Sequence, residues 1–289
     1  MVTSGLELRQ LTKTYPGFQL GPLSCRLQPG RSYGLVGPNG AGKTTLLNVI
    51  SLQAQASGGE VRFGDTPVRW SDTGWKERIS YVRETPSFYG ELSVARTLRL
   101  ASRLYRNWDE AFAASLLSRL ELAPEKRVER LSKGNAVKLG IVTALAHRAE
   151  LLILDEPTSG LDPTARAEMH EILRALQREH APLTLLFSSH ILEDLDQVVD
   201  DLFILRNGAF VFEGAMRELE RLALFRVAET IDLRKSPDVR LMWRKNGFLW
   251  VAVPRDCPFA TTLSTLPGCR EDPKGLTLST LYEGTAHAC

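Results

Sequence analysis

The chain has 289 residues, of which 24% are charged, 43% hydrophobic and 8% aromatic, a mixture that excludes intrinsic disorder and collagen-like repeats. Lys and Arg number 36 against 34 Asp and Glu, a formal net charge of +2, so bulk electrostatics makes no case for nucleic-acid binding. No apolar run approaches the roughly 20 residues that cross a bilayer, and the start MVTSGLELRQLTKTY lacks the charged residues and apolar stretch of a secretory signal; the expectation is a chain that stays in the cytoplasm.

In chain order, the first informative stretch is SYGLVGPNGAGKTTLLNVISL. Tyr33 to Val36 reads as a short buried strand and Thr44 to Leu52 as a helix. Between them Gly37, Pro38, Asn39, Gly40, Ala41, Gly42, Lys43, Thr44 and Thr45 match GxxxxGK[ST] at every fixed position, with the strand before and the helix after that the motif requires. Glycines let the backbone curl until successive N–H groups converge on an anion, and the positive end of the following helix adds to the attraction. Lys43 is suited to hold the β- and γ-phosphates of a nucleotide, Thr44 to give a hydroxyl to Mg²⁺, and Thr45 to reach a neighbouring phosphate oxygen. This loop alone leaves GTPases, kinases, motors and transport ATPases open. The dipeptide Asn-Lys, needed to read guanine, does not occur in the chain, which argues against a GTPase.

From about residue 88 to 148 the pattern predicts a mostly helical insertion. Leu98, Ala101, Leu104 and Tyr105, then Phe112, Leu116, Leu117 and Leu120, recur at helical spacing and are read as core. Trp70, Trp75 and Trp108 are read as packing residues. In RLSKGNAVKLGIVTALAHRAE, Ser132 and Gly134 precede the periodic Val137, Ile141, Val142 and Leu145, which marks a helix start. A hydroxyl and a glycine there form an anion site, although taken alone the segment is only a capped helix. One ATP does not need two such helices. The economical reading has Ser132 and Gly134 of one subunit closing over the γ-phosphate held by residues 37–45 of another.

Next comes LLILDEPTSGLDP, an apolar run from Leu151 to Leu154 that reads as a buried strand ending in Asp155 and Glu156. Two carboxylates at such a place are costly unless a cation or a proton-transfer role accounts for them. Asp155 is expected to bind Mg²⁺ through water, and Glu156 to orient and polarise the water that attacks the γ-phosphate. Hydrolysis rather than phosphoryl transfer follows; an acid pair capping a helix before Pro157 is the plainer alternative.

Through GPNGAGKTT, LSKGN, LLILDEP, SGLD and His190, in that order, the chain resembles the ATP-binding cassette (ABC) family over about residues 6–214. The resemblance implies an α/β fold, a P-loop NTPase cassette with a RecA-like core, an N-terminal β subdomain and the helical insertion, spanning residues 1–214, and a dimeric ATP sandwich. It also implies that Tyr15 stacks on adenine, that Asp162 lies in the loop touching the opposite subunit, and that His190, after the apolar run Leu183 to Phe187, contacts the γ-phosphate. Two segments depart from the common family pattern. In the signature loop, usually LSGGQ, Lys133 replaces the middle glycine and Asn135 the glutamine. In ISYVRETPSFYGELSV, Glu84 takes the place of the lid glutamine that approaches nucleotide and metal, a substitution similar to the branch serving exporters of drugs, antibiotics and peptides.

After Gly214 the motifs stop, and residues 215–289 are expected to form a small α+β accessory unit. Val239 to Arg244 and Phe248 to Val253 flank Asn246-Gly247, a strong hairpin signal. Helices are predicted from about Pro258 and around Leu276, with Trp243 and Trp250 packing a face. This unit shows no catalytic constellation, and dimer contact is favoured for it over partner binding. Cys25, Cys257, Cys269 and Cys289 lack CxxC spacing and are read as structural or incidental thiols.

The resulting expectation is an ATP- and Mg²⁺-dependent ATPase subunit at the cytoplasmic face of the cell membrane. It would pair with a second ABC ATPase subunit, a homodimer being favoured, and power export through separate membrane-spanning subunits, with no nucleic-acid partner. The alternative is a soluble ABC-type ATPase acting on nucleic acid or ribosomes; such relatives carry two cassettes or long coiled coils, and this chain has one cassette and no sustained heptads. A small-molecule kinase is disfavoured by Glu156 and His190.

Overall fold

The computed structural model describes residues 5–180, 183–196, 198–228, 237–245 and 248–286, which divide into two compact units, 1–210 and 211–289. In the first unit, buried Leu6, Leu8 and Leu11 alternate with more exposed neighbours to form β1 (Leu6–Tyr15). This strand runs antiparallel to β2 (Phe18–Leu27) across a turn in which Gly17 takes a φ of 80°. Next come β3 (Ser32–Val36) and α1 (Lys43–Ile50). Then β4 (Gly58–Phe63) and β5 (Thr66–Pro67) complete a four-stranded sheet in the order β2-β1-β4-β5.

The chain continues through α2 (Thr73–Arg78), β6 (Ile79–Val82), α3 (Val94–Ser102), α4 (Glu110–Arg119), a 3-10 turn (Val128–Arg130) and α5 (Lys133–Ala146). It returns as β7 (Leu151–Asp155), α6 (Pro163–Glu179), β8 (Thr184–Ser189), α7 (Leu192–Asp196) and β9 (Asp201–Arg206). Strands β9, β3, β8, β7 and β6 lie side by side in that order, all parallel. Both β3 and β7 are buried at every residue, as expected for parallel strands covered on both faces. Leu8, Leu20, Leu35, Leu47, Ile50, Phe63, Trp75, Ile153 and Leu186 belong to one apolar cluster, which joins the antiparallel sheet to α1 and the parallel sheet.

Ser or Asp side chains cap α2, α3, α4, α5 and α6, from Asp72, Ser93, Asp109, Ser132 and Asp162, satisfying N–H groups that the first turn leaves without partners. Helix α5 comes close to β6 because Gly140 has no side chain: a Cβ there would lie 2.9 Å from both methyls of Val82. Two packing expectations are corrected. Helix α3 ends at Ser102, so the helical stripe does not extend to Leu104, which is 71% exposed; Tyr105 instead stacks on His147 with ring centroids 3.9 Å apart. Trp70, 46% exposed in the turn before α2, is not core, and half-buried Trp108 gives its Nε1–H to Glu110. Trp75 is buried and donates to Ile50 O at 2.9 Å.

Strand β10 (Ala209–Ala215) carries the chain into the second unit, which continues with α8 (Met216–Leu219), β11 (Leu222–Val227), β12 (Leu241–Lys245), β13 (Phe248–Pro254), α9 (Pro258–Thr265), β14 (Arg270–Glu271) and α10 (Leu278–Ala286). Its sheet order is β12-β13-β11-β14. Pairing of Lys245 with Phe248 closes the hairpin across two residues; Asn246 and Gly247, like Cys289, lie outside the described residues. Phe225, Val227, Val251, Val253, Ala260 and Leu263 form a core of their own. Trp243 and Trp250 stack with centroids 6.4 Å apart. Cys257 and Cys269 are free thiols.

Candidate active site

The register of the parallel sheet decides what meets at its edge. Val36 pairs with Ser189, and both Leu35 and Asp155 pair with Ser188, so the loops leaving β3, β7 and β8 emerge side by side at the C-terminal ends of the strands, where open α/β sheets bind their ligands. After β3 the chain turns tightly. A Cβ on Gly37 would meet Leu205 O at 2.3 Å, Gly40 takes a φ of 81°, and Gly42, at 108°, would press a Cβ onto the Phe18 ring at 2.8 Å. Only glycine suits these positions. Helix α1 starts at Lys43 with no side-chain cap, leaving the N–H groups of its first turn for an anion.

Into this concavity the second and third loops bring charge. Lys43 Nζ donates to Gly37 O at 2.7 Å and lies 3.6 Å from Glu156 Oε1, both side chains being nearly buried. Glu156 follows β7 with a φ of 51°, a left-handed conformation uncommon and costly for a residue with a side chain and typical of functional positions. Its backbone N–H is held by Ser188 Oγ at 3.0 Å, and its Oε2 faces His190 Nδ1 at 2.7 Å. Asp155 accepts from Ser188 Oγ at 2.6 Å, from Tyr81 OH at 3.0 Å and from Thr44 Oγ1 at 3.3 Å. Burial, with the Asp155 charge beside it, pushes the Tyr81 phenol well above its ordinary pKa and keeps it a neutral donor. A hydroxyl and a carboxylate oxygen this close are hard donors that fit Mg²⁺, which takes one or two protein ligands and completes its shell with water and phosphate.

The sequence pattern of the ABC transporter family matches residues 20–159. The bacitracin transport ATP-binding protein BcrA of Enterococcus faecalis is 32% identical over 223 residues, 75% of this chain and 72% of that protein. This chain belongs to the ABC transporter family. The Nod factor export ATP-binding protein I of Rhizobium etli is 32% identical over 225 residues, 76% of this chain and 71% of that protein. An uncharacterized ABC transporter ATP-binding protein of Synechocystis is 35% identical over 207 residues, 69% of this chain; the chain spans 57% of that relative's length. Among solved structures, an ATP-binding subunit of an ABC transporter superposes with a TM-score of 0.65 at 30% identity, over 75% of this chain and 92% of that one. The fold is the P-loop cassette of this family.

The cassette gathers most of the expected residues in one cleft of about 630 Å³: Pro38, Asn39, Gly40, Gly42, Lys43, Thr44, Thr45, Glu84, Glu156 and His190 line it. Asp155 lies just beneath, bonded to Thr44, and buried Ala41 braces the loop through Gly208 N–H at 3.0 Å. Glu84 lines the cleft, but its Oε1 accepts from Lys133 Nζ and Ser159 Oγ, each at 3.1 Å. Exposed Tyr15 pairs in register with Phe18, and Phe18 is the ring in the lining. Ser132, Gly134 and Asp162 stand outside it, at or near the N-termini of α5 and α6.

Sequence reasoning passed over several residues that the cassette uses. Tyr81 and Ser188 hold Asp155, and the available signals were a polar-tipped aromatic in ISYV and two serines closing an apolar run. Phe18 had no motif at all. Thr158 Oγ1 donates to the fully buried Asp194 at 2.5 Å, and His170 Nε2 lies 3.0 Å from its other carboxylate oxygen without the alignment of a hydrogen bond. Burial pushes the Asp194 carboxyl pKa up, but the neighbouring His170, Thr158 and Arg166 outweigh it and leave the value lowered, so the Thr158 bond to a buried acid ties the loop after β7 to the helix after His190.

Proposed function

We propose that this chain is the ATP-hydrolysing subunit of an ABC transporter, working at the cytoplasmic face of the membrane and powering export of a drug, antibiotic or peptide-like substrate through separate membrane-spanning subunits. The observation that carries the reading is the convergence on one cleft of a glycine-lined helix N-terminus, the Thr44–Asp155 pair and the Lys43–Glu156–His190 set. Similarity to a bacitracin transport and a Nod factor export ATP-binding protein supports the exporter branch. Neither relative favours an ATPase directed at nucleic acid or ribosomes.

In this reading residues 37–45 cradle the β- and γ-phosphates, Tyr15 stacks on the base, and Lys43 neutralises phosphate charge. Thr44 and Asp155, with Glu84 as a third candidate, hold Mg²⁺, which when bound neutralises charge on the phosphate oxygens. Glu156 orients and polarises the attacking water while His190 holds its carboxylate and faces the γ-phosphate. Ser132, Gly134 and Asp162, outside the cleft of their own chain, serve the cleft of a second cassette, a copy of this chain being favoured. Closure of two cassettes on ATP pushes on the membrane subunits, and hydrolysis with product release reopens them.

The test is phosphate release by the purified chain, alone and with the membrane protein that co-purifies with it. Mg²⁺-dependent release stimulated by that protein is expected. Co-purification of RNA or DNA in place of a membrane protein would favour the alternative, and failure to hydrolyse ATP in either setting would overturn the assignment.

A further inference from the structure

Two of the three residues at which the sequence departs from the common family pattern, Glu84 and Lys133, meet in space. Glu84 follows β6 and lines the cleft beside Thr44 and His190. A carboxylate there adds negative charge where the nucleotide's phosphates would enter. Lys133 opens α5, a place where the helix dipole disfavours a cation. Its Nζ lies 3.1 Å from Glu84 Oε1, the oxygen that also accepts from Ser159 Oγ. The lysine tip passes over the loop backbone, since a Cβ on Gly160 would lie 3.9 Å from Nζ. The Lys133 and Glu84 side chains are 29% and 52% exposed, and pairs so exposed contribute little to folding. Stability therefore does not account for two charges placed at the mouth of this cleft.

We propose that Lys133 is a positioning and charge-compensating residue for Glu84: it holds the lid carboxylate against Ser159 and cancels its charge, so that nucleotide enters beside a neutral pair. The proposal rests on the reading of the cleft as an ATP site. It joins three segments of one chain, the lid after β6, the start of α5 and the loop before α6, at a single oxygen.

The experiment uses the full chain carrying Lys133→Met, Lys133→Arg, Glu84→Gln, or Lys133→Met with Glu84→Gln, titrated with Mg²⁺ and a fluorescent ATP analogue. Lys133→Met is expected to weaken binding by about fivefold, the effect of one uncompensated charge at short range in high dielectric, and to do so less at high salt. Adding Glu84→Gln to it should restore most of the lost affinity, and Lys133→Arg should keep the parent affinity. Equal weakening by Lys133→Met whether residue 84 carries its charge or not would overturn the proposal. In the nucleotide-free, metal-free chain at neutral pH, the NMR signal of the Glu84 side-chain carboxyl, assigned by its loss in Glu84→Gln, should shift in Lys133→Met, which removes the ammonium 3.1 Å away; an unmoved signal would overturn the pairing. Failure of the parent chain to bind the analogue would instead overturn the ATP reading, and the carboxyl signal would still decide whether Lys133 holds Glu84.

Discussion

Glu156 Oε2 lies 2.7 Å from His190 Nδ1 and accepts the His190 backbone N–H at 3.3 Å, so the carboxylate after β7 is gripped at two points by the residue after β8. With Lys43 on the other oxygen, the proposed base cannot swing freely. Glu156→Gln keeps the size and loses the charge. Turnover should fall by about 10²- to 10⁴-fold, the usual span for a general base, while ATP still binds. The trapped protein should elute as an ATP-dependent dimer if two copies pair, and adding Ser132→Arg should abolish that dimer. Normal hydrolysis by Glu156→Gln would refute the base assignment.

Lys43 opens the helix that follows the curled loop, and its Nζ donates to Gly37 O at 2.7 Å. Lys43→Ala should cost most of the affinity for ATP. Calorimetry checks this directly, and an unchanged dissociation constant would remove Lys43 from the phosphate cradle.

Ser188 is fully buried and serves two neighbours, donating to Asp155 and accepting from the Glu156 N–H. Ser188→Ala leaves the Asp155 oxygen without its shortest bond. Stability should drop by about 1–3 kcal/mol, the cost of an unsatisfied buried polar group, and half-maximal turnover should need more Mg²⁺. Tyr81→Phe should shift the Mg²⁺ requirement in the same direction. Turnover with an unaltered Mg²⁺ requirement in both variants would show that Asp155 does not depend on these donors.

His147 is buried against Tyr105, with Nδ1 2.8 Å from Thr143 O, and burial lowers its pKa from the usual 6.5. The unfolded chain therefore takes up a proton near that value while the folded chain does not. Stability is whole above pH 6.5 and falls as pH drops from there toward the lowered folded value. The slope from one such group is at most about 1.4 kcal/mol per pH unit. His147→Gln should flatten the decline in urea midpoint as pH falls below 6.5; His180, also lowered by burial, accounts for part of what remains. An unchanged slope would mean that His147 titrates freely in the folded chain.

The second unit has its own apolar core. Ending the chain after Ala215, where β10 closes, should spare nucleotide binding and reduce association with a second cassette or a membrane partner. Gel filtration and pull-down read the outcome. Loss of soluble expression would show that the first unit needs the rest of the chain to fold.

The loop of residues 37–45, the strand ending in Asp155 and Glu156, and the capped start of α5 were all legible in the sequence. Each depends on neighbours within one turn or one strand: glycines where φ is positive, an apolar run ending in acids, a serine before a periodic helix. Other relationships arise only when the parallel sheet sets its register. Ser188 and Tyr81 reach Asp155 from 33 and 74 residues away, and Lys133 reaches Glu84 across 49. Side-chain bonds of that range leave no periodicity in the chain, because strand order and helix packing decide which atoms meet. The exposure of Leu104 has the same origin: spacing identifies an apolar face, but where a helix stops decides whether a residue on that face is covered; Trp70, in a turn, shows likewise that an aromatic side chain is covered only where something packs against it.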